Sequence, residues 1–115
     1  MIDLTKFKFY LMGEIEKLAE RSQERLRESV SILYPPASEP NNPPHLRTGD
    51  LQAGCTVTPD FENNRMGVDI KSSIEYSEFL EFGTTQMAPR PFIRPEAERV
   101  KEDLTEIIEN LTITL

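Results

Sequence analysis

The chain has 115 residues, 37% hydrophobic and 29% charged, which is enough for one domain with one modest core. Its net charge of −7 argues against a nucleic-acid-binding protein, because phosphate contacts need clustered lysine and arginine. The single cysteine, Cys55, excludes an intramolecular disulfide and a multi-cysteine metal site. No signal-peptide pattern and no bilayer-spanning apolar run is present, so we expect a cytoplasmic protein without membrane contact.

The first predicted element is a long amphipathic helix, because apolar residues recur at a period near 3.6 over 4–33, with two serines in the stripe. Its polar side carries an acidic row and a basic row, with pairs such as Glu14 with Lys17 and Arg25 with Glu28. The rows consist of Glu16, Glu20, Glu24 and Glu28, and of Lys17, Arg21 and Arg25. The usual interpretation of such rows is a solvated face; the alternative is a surface that docks against a neighbouring subunit.

The helix must end at "YPPASEPNNPPH", because five prolines fall within ten residues. We expect an exposed, semi-extended loop over 34–46, either disordered or used for contact. The segment "TGDL" at 48–51 then predicts a turn followed by a short helix or the entry to a strand.

A β-hairpin is predicted next. Cys55 and Val57 alternate with threonines, and Met66, Val68 and Ile70 alternate with Gly67 and Asp69, which gives each strand one buried face. The letters "ENN" at 62–64 supply the turn. Pro59 closes the first strand early or leaves it at an edge.

The segment "YSEFLEFGTTQMAPRPFIRP" at 76–95 begins as a two-turn helix. Its apolar residues are predicted to pack on the sheet, and Gly83 to cap the helix in a left-handed conformation. The apolar residues are Tyr76, Phe79, Leu80 and Phe82. Pro95 then opens the last helix at its first turn, and the tail "TITL" is a short strand or frayed.

Within this segment the predicted core anchors are Phe82, Phe92 and Ile93, while 84–90 is left free to touch a partner. The predicted contact residues of that loop are Thr84, Thr85, Gln86, Met87 and Arg90. The whole chain, 1–115, is therefore predicted to be one α+β domain, with the long N-terminal helix and the C-terminal helix packed on a small, mainly antiparallel sheet.

No catalytic constellation is apparent. His45 is the only histidine and has no local nucleophile or acid partner. Glu75, Glu78 and Glu81 lie three apart and would permit metal binding or glycosidase chemistry, but the simpler interpretation is a solvated helix face. We expect no enzyme activity and no cofactor or metal.

Residues 76–95 resemble the signature of the gene-product-10-like family of tailed-phage structural proteins, the head-tail joining and tail-completion group that includes the lambda Z type. The matching residues are Tyr76, Glu81, Phe82, Gly83, Thr84, Pro91, Phe92, Ile93, Arg94 and Pro95. Upstream, Thr48, Gly49 and Leu51 resemble the Thr-Gly-x-Leu element of the family. Asp50 and Glu96 depart from its usual basic residue and alanine, both at expected surface positions.

The resemblance implies a non-enzymatic protein of the virion neck or upper tail, from a phage or prophage, that forms a homo-oligomeric ring and contacts neighbouring neck and tail proteins. It would assemble in the host cytoplasm and end in the virion. Since 95–115 carries six acids and two bases, acids facing the channel would let DNA slide through without sequence-specific binding. Alternatives are another ring component, such as a tail terminator or head-closure protein, a small bacterial adaptor or binding module, and a small enzyme that uses the carboxylates of 75–81.

Overall fold

The computed structural model describes residues 4–33, 36–46, 48–62 and 65–114, with side chains described over 5–110 of these ranges. In chain order the elements are α1 (Leu4–Ser29), α2 (Asp50–Gly54), β1 (Cys55–Asp60), β2 (Gly67–Ser72), α3 (Ser77–Phe82) and α4 (Ile93–Thr114). The predicted α+β class is confirmed, since a long N-terminal helix and a C-terminal helix accompany a two-stranded antiparallel sheet.

Helix α1 buries the stripe that its periodicity predicts, but only over its second half. Ile15, Leu18, Ser22 and Leu26 are all almost fully buried, at the three- and four-residue spacing of one helix face. None of the side chains at 5–14 is fully buried, and Phe9 is exposed. The C-terminal end is followed by the proline-rich segment, which cannot continue the helix.

The hairpin packs its first strand against α1. Strands β1 and β2 pair in the register Cys55↔Ser72 to Asp60↔Gly67, and Pro59 stays within the strand, which is possible because a two-stranded sheet has only edge strands. The backbone of β1 is held by α1, where Arg27 Nε donates to Cys55 O at 3.0 Å and Val57 N donates to Gln23 Oε1 at 3.1 Å. The predicted turn residues at 63 and 64 lie outside the described residues.

The core lies between α1, β1 and the start of α4. Its largest cluster consists of Ala19, Leu26, Val30, Leu46, Leu51, Cys55, Val57 and Phe92, and Ile15, Leu18 and Val100 are also buried. Leu46 belongs to the proline-rich loop, of which 34 and 35 are outside the described residues. That loop is exposed at 36, 37 and 39–42 but buries Ser38, Pro44 and Leu46, so part of it is anchored to the domain.

Helix α4 differs from its prediction at both ends. It begins at Ile93 and not at Pro95, and it continues to Thr114, so the tail at 112–114 is helical. A helix makes its hydrogen bonds within itself, whereas a strand needs a neighbour to pair with, and the described part of the chain has only the two strands of the hairpin, which pair with each other. None of the described helices is long and apolar enough to cross a membrane.

The molecule is elongated. Its radius of gyration is 16.9 Å and its long dimension 59 Å, whereas a compact domain of this length has a radius of gyration of about 13 Å. Helix α1, at 26 residues, is only about 39 Å long. No single helix therefore accounts for the long dimension of the molecule.

Candidate assembly surface

Glu81 caps the start of α4. Its carboxylate is buried and accepts three backbone N–H groups, those of Phe92 at 3.0 Å, Ile93 at 2.8 Å and Arg94 at 3.1 Å. These are donors that the first turn of a helix leaves without a partner, and a negative charge at this end also meets the positive end of the helix dipole. The expectation that Glu81 belongs to a solvated acidic face is therefore wrong, and α4 begins at Ile93 because Glu81 caps it there.

The short helix α3 holds Glu81 in place. Ser77, one turn earlier and also buried, shares a hydrogen bond of 2.6 Å with Ser72 of β2. Gly83 then ends the helix at φ 76° and ψ 179°, so the predicted positive φ is confirmed, but ψ is far from the left-handed helical value. A Cβ on Gly83 would lie 2.8 Å from Met87 O and 2.9 Å from Pro89 N, so the reversal of the chain requires glycine.

The loop at 84–90 is a tight turn with one anchored end. Thr84 N donates to Met87 O at 2.9 Å, and the side chains of Thr84, Thr85 and Gln86 are exposed while that of Met87 is half-buried. Arg90, also predicted to contact a partner, donates from Nε to Ser38 O at 3.1 Å within its own chain. The exposed part of the loop is thus its tip.

Glu96 joins α4 to α1. Its side chain is 1% exposed, and Oε1 accepts from Ser22 Oγ at 2.8 Å and from Arg25 Nη2 at 2.7 Å. Arg25 Nη2 also lies 2.8 Å from Asp103 Oδ2. The expected surface position of Glu96 is wrong. Ser22 and Arg25 of α1 donate to Oε1, and Arg99 Nη1 lies 3.5 Å from Oε2, so positive and hydrogen-bonding groups surround the buried carboxylate.

Arg25 serves this internal network rather than the pair with Glu28 that the sequence predicts. Its burial acts to lower the pKa of the guanidinium, but hydrogen bonds to Asp103 and Glu96 outweigh that effect and raise the pKa above its ordinary value. The other pair is confirmed, with Lys17 Nζ 3.5 Å from Glu14 Oε1. The remaining predicted contact residues of the α1 rows, Glu16, Lys17, Glu20, Arg21 and Glu24, are all exposed.

Helix α3 turns its aromatic side chains outward. Tyr76, Phe79 and Phe82 are 47%, 57% and 64% exposed, and their spacing of three places them on one side of the helix, here called the aromatic face. The prediction that they pack on the sheet is wrong, and so is the assignment of Phe82 as a core anchor. Phe92 is buried as predicted, while Ile93 and Leu80 are partly buried against the core.

An open groove of about 440 Å³ lies beside the aromatic face, here called the α3 groove. Phe82, Ile74 and Ile93 give it apolar surface, and the exposed Glu75 and Glu78 lie along it. Arg94 also lines the groove, with its guanidinium carbon 5.8 Å from the centre of the Phe82 ring. The other family-like residues are divided between surface and interior: Thr48 and Gly49 are exposed, Leu51 is buried, and the prolines at 91 and 95 are half-buried.

The remaining chemistry of the site is limited. Among the described residues, no group of three or more histidine, cysteine, aspartate or glutamate side chains could hold a metal ion. His45 Nδ1 lies 2.6 Å from Pro36 O, within the proline-rich loop. The chain matches no protein-family model, no curated protein and no solved structure.

The sequence interpretation missed the two buried carboxylates. A signal for Glu96 was present in the serine that interrupts the apolar stripe at position 22, since a buried hydroxyl needs a polar partner. Glu81 had only a weak signal, namely its place one residue before the helix-ending Phe82-Gly83 pair and close in sequence to the start of the next helix.

Proposed function

We propose that this chain is a non-enzymatic structural subunit of a tailed phage or prophage, which assembles as a homo-oligomeric ring at the virion neck or upper tail during head-tail joining or tail completion. The observation that carries the proposal is the aromatic face, where Tyr76, Phe79 and Phe82 are exposed within the segment that resembles the family signature. Clustered exposed aromatic residues are typical of protein contact sites.

Two further features support an assembly role over the enzyme alternative. Both oxygens of Glu81 accept backbone N–H groups, so this carboxylate is already engaged and the acidic row at 75–81 offers only Glu75 and Glu78. The elongated shape, with a radius of gyration of 16.9 Å, leaves much surface for neighbours.

The acidic surface of α4 fits a place along the DNA channel of such a ring. Glu98, Glu102 and Glu106 are exposed at a spacing of four, on one side of the helix. Negative charge along the channel would repel DNA and let it slide. Replacing all three with glutamine is expected to slow packaging or ejection of DNA, and unchanged packaging and ejection would refute the channel placement.

The test of the proposed function is deletion of the gene from the phage or prophage that encodes the chain. We expect filled heads and full-length tails that do not join, visible by negative-stain microscopy, with infectivity restored by the wild-type gene. Normal infectious particles from the deletion strain would contradict the structural role. A head defect or a tail-length defect would instead favour head closure or tail termination.

A further inference from the structure

Two separate surfaces of the described part of this chain expose large apolar side chains. One is the aromatic face with the α3 groove. The other is the beginning of α1, residues 5–12, here called the α1 arm, where Phe9 is 66% and Tyr10 55% exposed. Lys8, Phe9 and Met12 line a shallow depression on the arm, so the arm presents apolar and basic groups together.

The charges of the two surfaces are opposite. On the α1 arm, Lys8 is exposed and lines the same depression as Phe9. The α3 groove carries Glu75 and Glu78, both exposed, with Arg94 at the Phe82 side. An aromatic side chain of the arm would meet apolar groove residues while Lys8 meets a glutamate, and such matching favours one partner and one orientation.

The arm and the groove lie far apart in one molecule. Phe9 and Arg27 are eighteen residues apart on α1, which is about 27 Å. Arg27 donates to Cys55 O, and Cys55 pairs with Ser72. Ser72 in turn bonds Ser77 at the start of α3, so the groove is at the far end of α1. The arm therefore meets a groove only in another molecule.

We propose that the α1 arm of one copy docks in the α3 groove of a second copy, in a head-to-tail contact. The two sides of this contact are different surfaces, so every copy can bind one neighbour on each side, and the chain of contacts closes into a ring if the rotation permits. This inference names the interface of the proposed ring and rests on that proposed function for ring closure. The contact between two copies does not need other phage proteins and is therefore measurable on the purified chain.

The test uses two single variants of the full chain, Phe9→Ser on the arm and Phe82→Ser in the groove, studied by sedimentation velocity over a concentration series. Both side chains are mostly exposed, so the variants are expected to keep the wild-type far-UV circular dichroism. Ile32→Ser is the matched control, since Ile32 is 60% exposed and belongs to neither surface.

We expect the wild type and Ile32→Ser to self-associate equally, and each of the two test variants to associate about 30-fold more weakly, the effect of losing one central aromatic anchor. Mixed together, Phe9→Ser supplies an intact groove and Phe82→Ser an intact arm. The mixture is therefore expected to form a one-to-one dimer and nothing larger.

Several outcomes would overturn the inference. They are a wild type that stays monomeric up to its solubility limit, association that Phe9→Ser leaves unchanged, or a mixture that forms no dimer. If Phe82→Ser weakens association and Phe9→Ser does not, the groove binds a different surface of the second copy or the second copy's own groove. That result would also overturn the inference.

A charge exchange adds an independent check. Lys8→Glu and Glu78→Lys each weaken association, and the doubly substituted chain regains it, because the charges again match across the contact. Failure of this inference is distinguishable from failure of the proposed function. If the deletion phage shows unjoined heads and tails but particles assemble normally with Phe9→Ser, the function stands and the interface is wrong. If association follows the predicted pattern but the deletion phage is normal, the interface stands and the proposed function is wrong.

Discussion

Helices α1 and α3 bury opposite kinds of side chain. Helix α1 buries Leu18 and Leu26 and exposes its charged rows, whereas α3 buries Ser77 and Glu81 and exposes Phe79 and Phe82. The orientation of α1 follows the removal of apolar surface from water. That of α3 follows three charge-assisted hydrogen bonds at the start of α4. The period of the apolar residues therefore predicts which side of α1 faces the core. It does not predict the orientation of α3, which hydrogen bonds determine.

The largest expected effect is at Leu18, which is fully buried on α1. Leu18→Ala should lower the free energy of unfolding by about 3 to 4 kcal/mol, because it removes buried methyl groups and leaves a cavity. Phe79→Ala removes a larger side chain that is 57% exposed, and it should change stability by less than about 0.5 kcal/mol. Urea denaturation of both variants measures the difference. Equal losses in the free energy of unfolding would contradict the assignment of Leu18 to the core and of Phe79 to the surface.

The capping role of Glu81 gives the next largest effect. Glu81→Ala leaves the three N–H groups at the start of α4 without their acceptor, and we expect a loss of about 3 kcal/mol. Glu81→Gln keeps one acceptor oxygen and should cost less. Glu78→Ala, at an exposed position of the same helix, is the matched control and should have almost no effect. If Glu78→Ala lowers the free energy of unfolding as much as Glu81→Ala does, the inward orientation of α3 does not depend on the Glu81 carboxylate.

The core beside α1 should also respond to alkaline pH. Desolvation of the buried Cys55 thiol raises its pKa from 9.0 to about 11, although the nearby charge of Arg27 acts to lower it. The unfolded chain loses this proton first, so stability is fully present below pH 9 and falls as pH rises towards about 11. One pKa unit corresponds to about 1.4 kcal/mol, and the total loss is therefore about 2 to 3 kcal/mol.

Cys55→Ala isolates this effect, because it removes the thiol and should flatten the stability profile between pH 9 and about 11. The comparison is the difference between wild type and variant at each pH, measured by urea denaturation. Identical slopes for the two proteins would show that Cys55 does not carry the pH dependence.

The smallest expected effects compare two glycines. Gly83→Ala should cost about 2 kcal/mol, because its φ of 76° and the backbone atoms within 3 Å exclude a Cβ. Gly13→Ala on α1 has open space around it and should stabilise the helix by about 0.5 to 1 kcal/mol. Thermal unfolding followed by circular dichroism should show shifts of opposite sign, and shifts of the same sign would contradict these assignments.

Local patterns in the sequence predicted most of the fold. The 3.6-residue period located α1, alternation located both strands, and Gly83 marked the reversal after α3. The candidate site was harder to predict from the sequence. Tyr76, Phe79 and Phe82 have the composition of a buried stripe, and nothing in the local sequence distinguishes a stripe that the chain covers from one that is left for a partner. Arg25 was placed on a solvated row for the same reason, since its partners lie on α4.

What the sequence by itself determined are the features set by neighbouring residues: the elements, the α+β class, the burial of Phe92 and the positive φ at Gly83. The tertiary structure decided which way α3 faces and which carboxylates are buried. These depend on contacts between distant parts of the chain, such as Ser22 with Glu96 at a separation of 74 residues. A buried carboxylate is stable only when such donors converge on it, and local sequence does not encode that convergence.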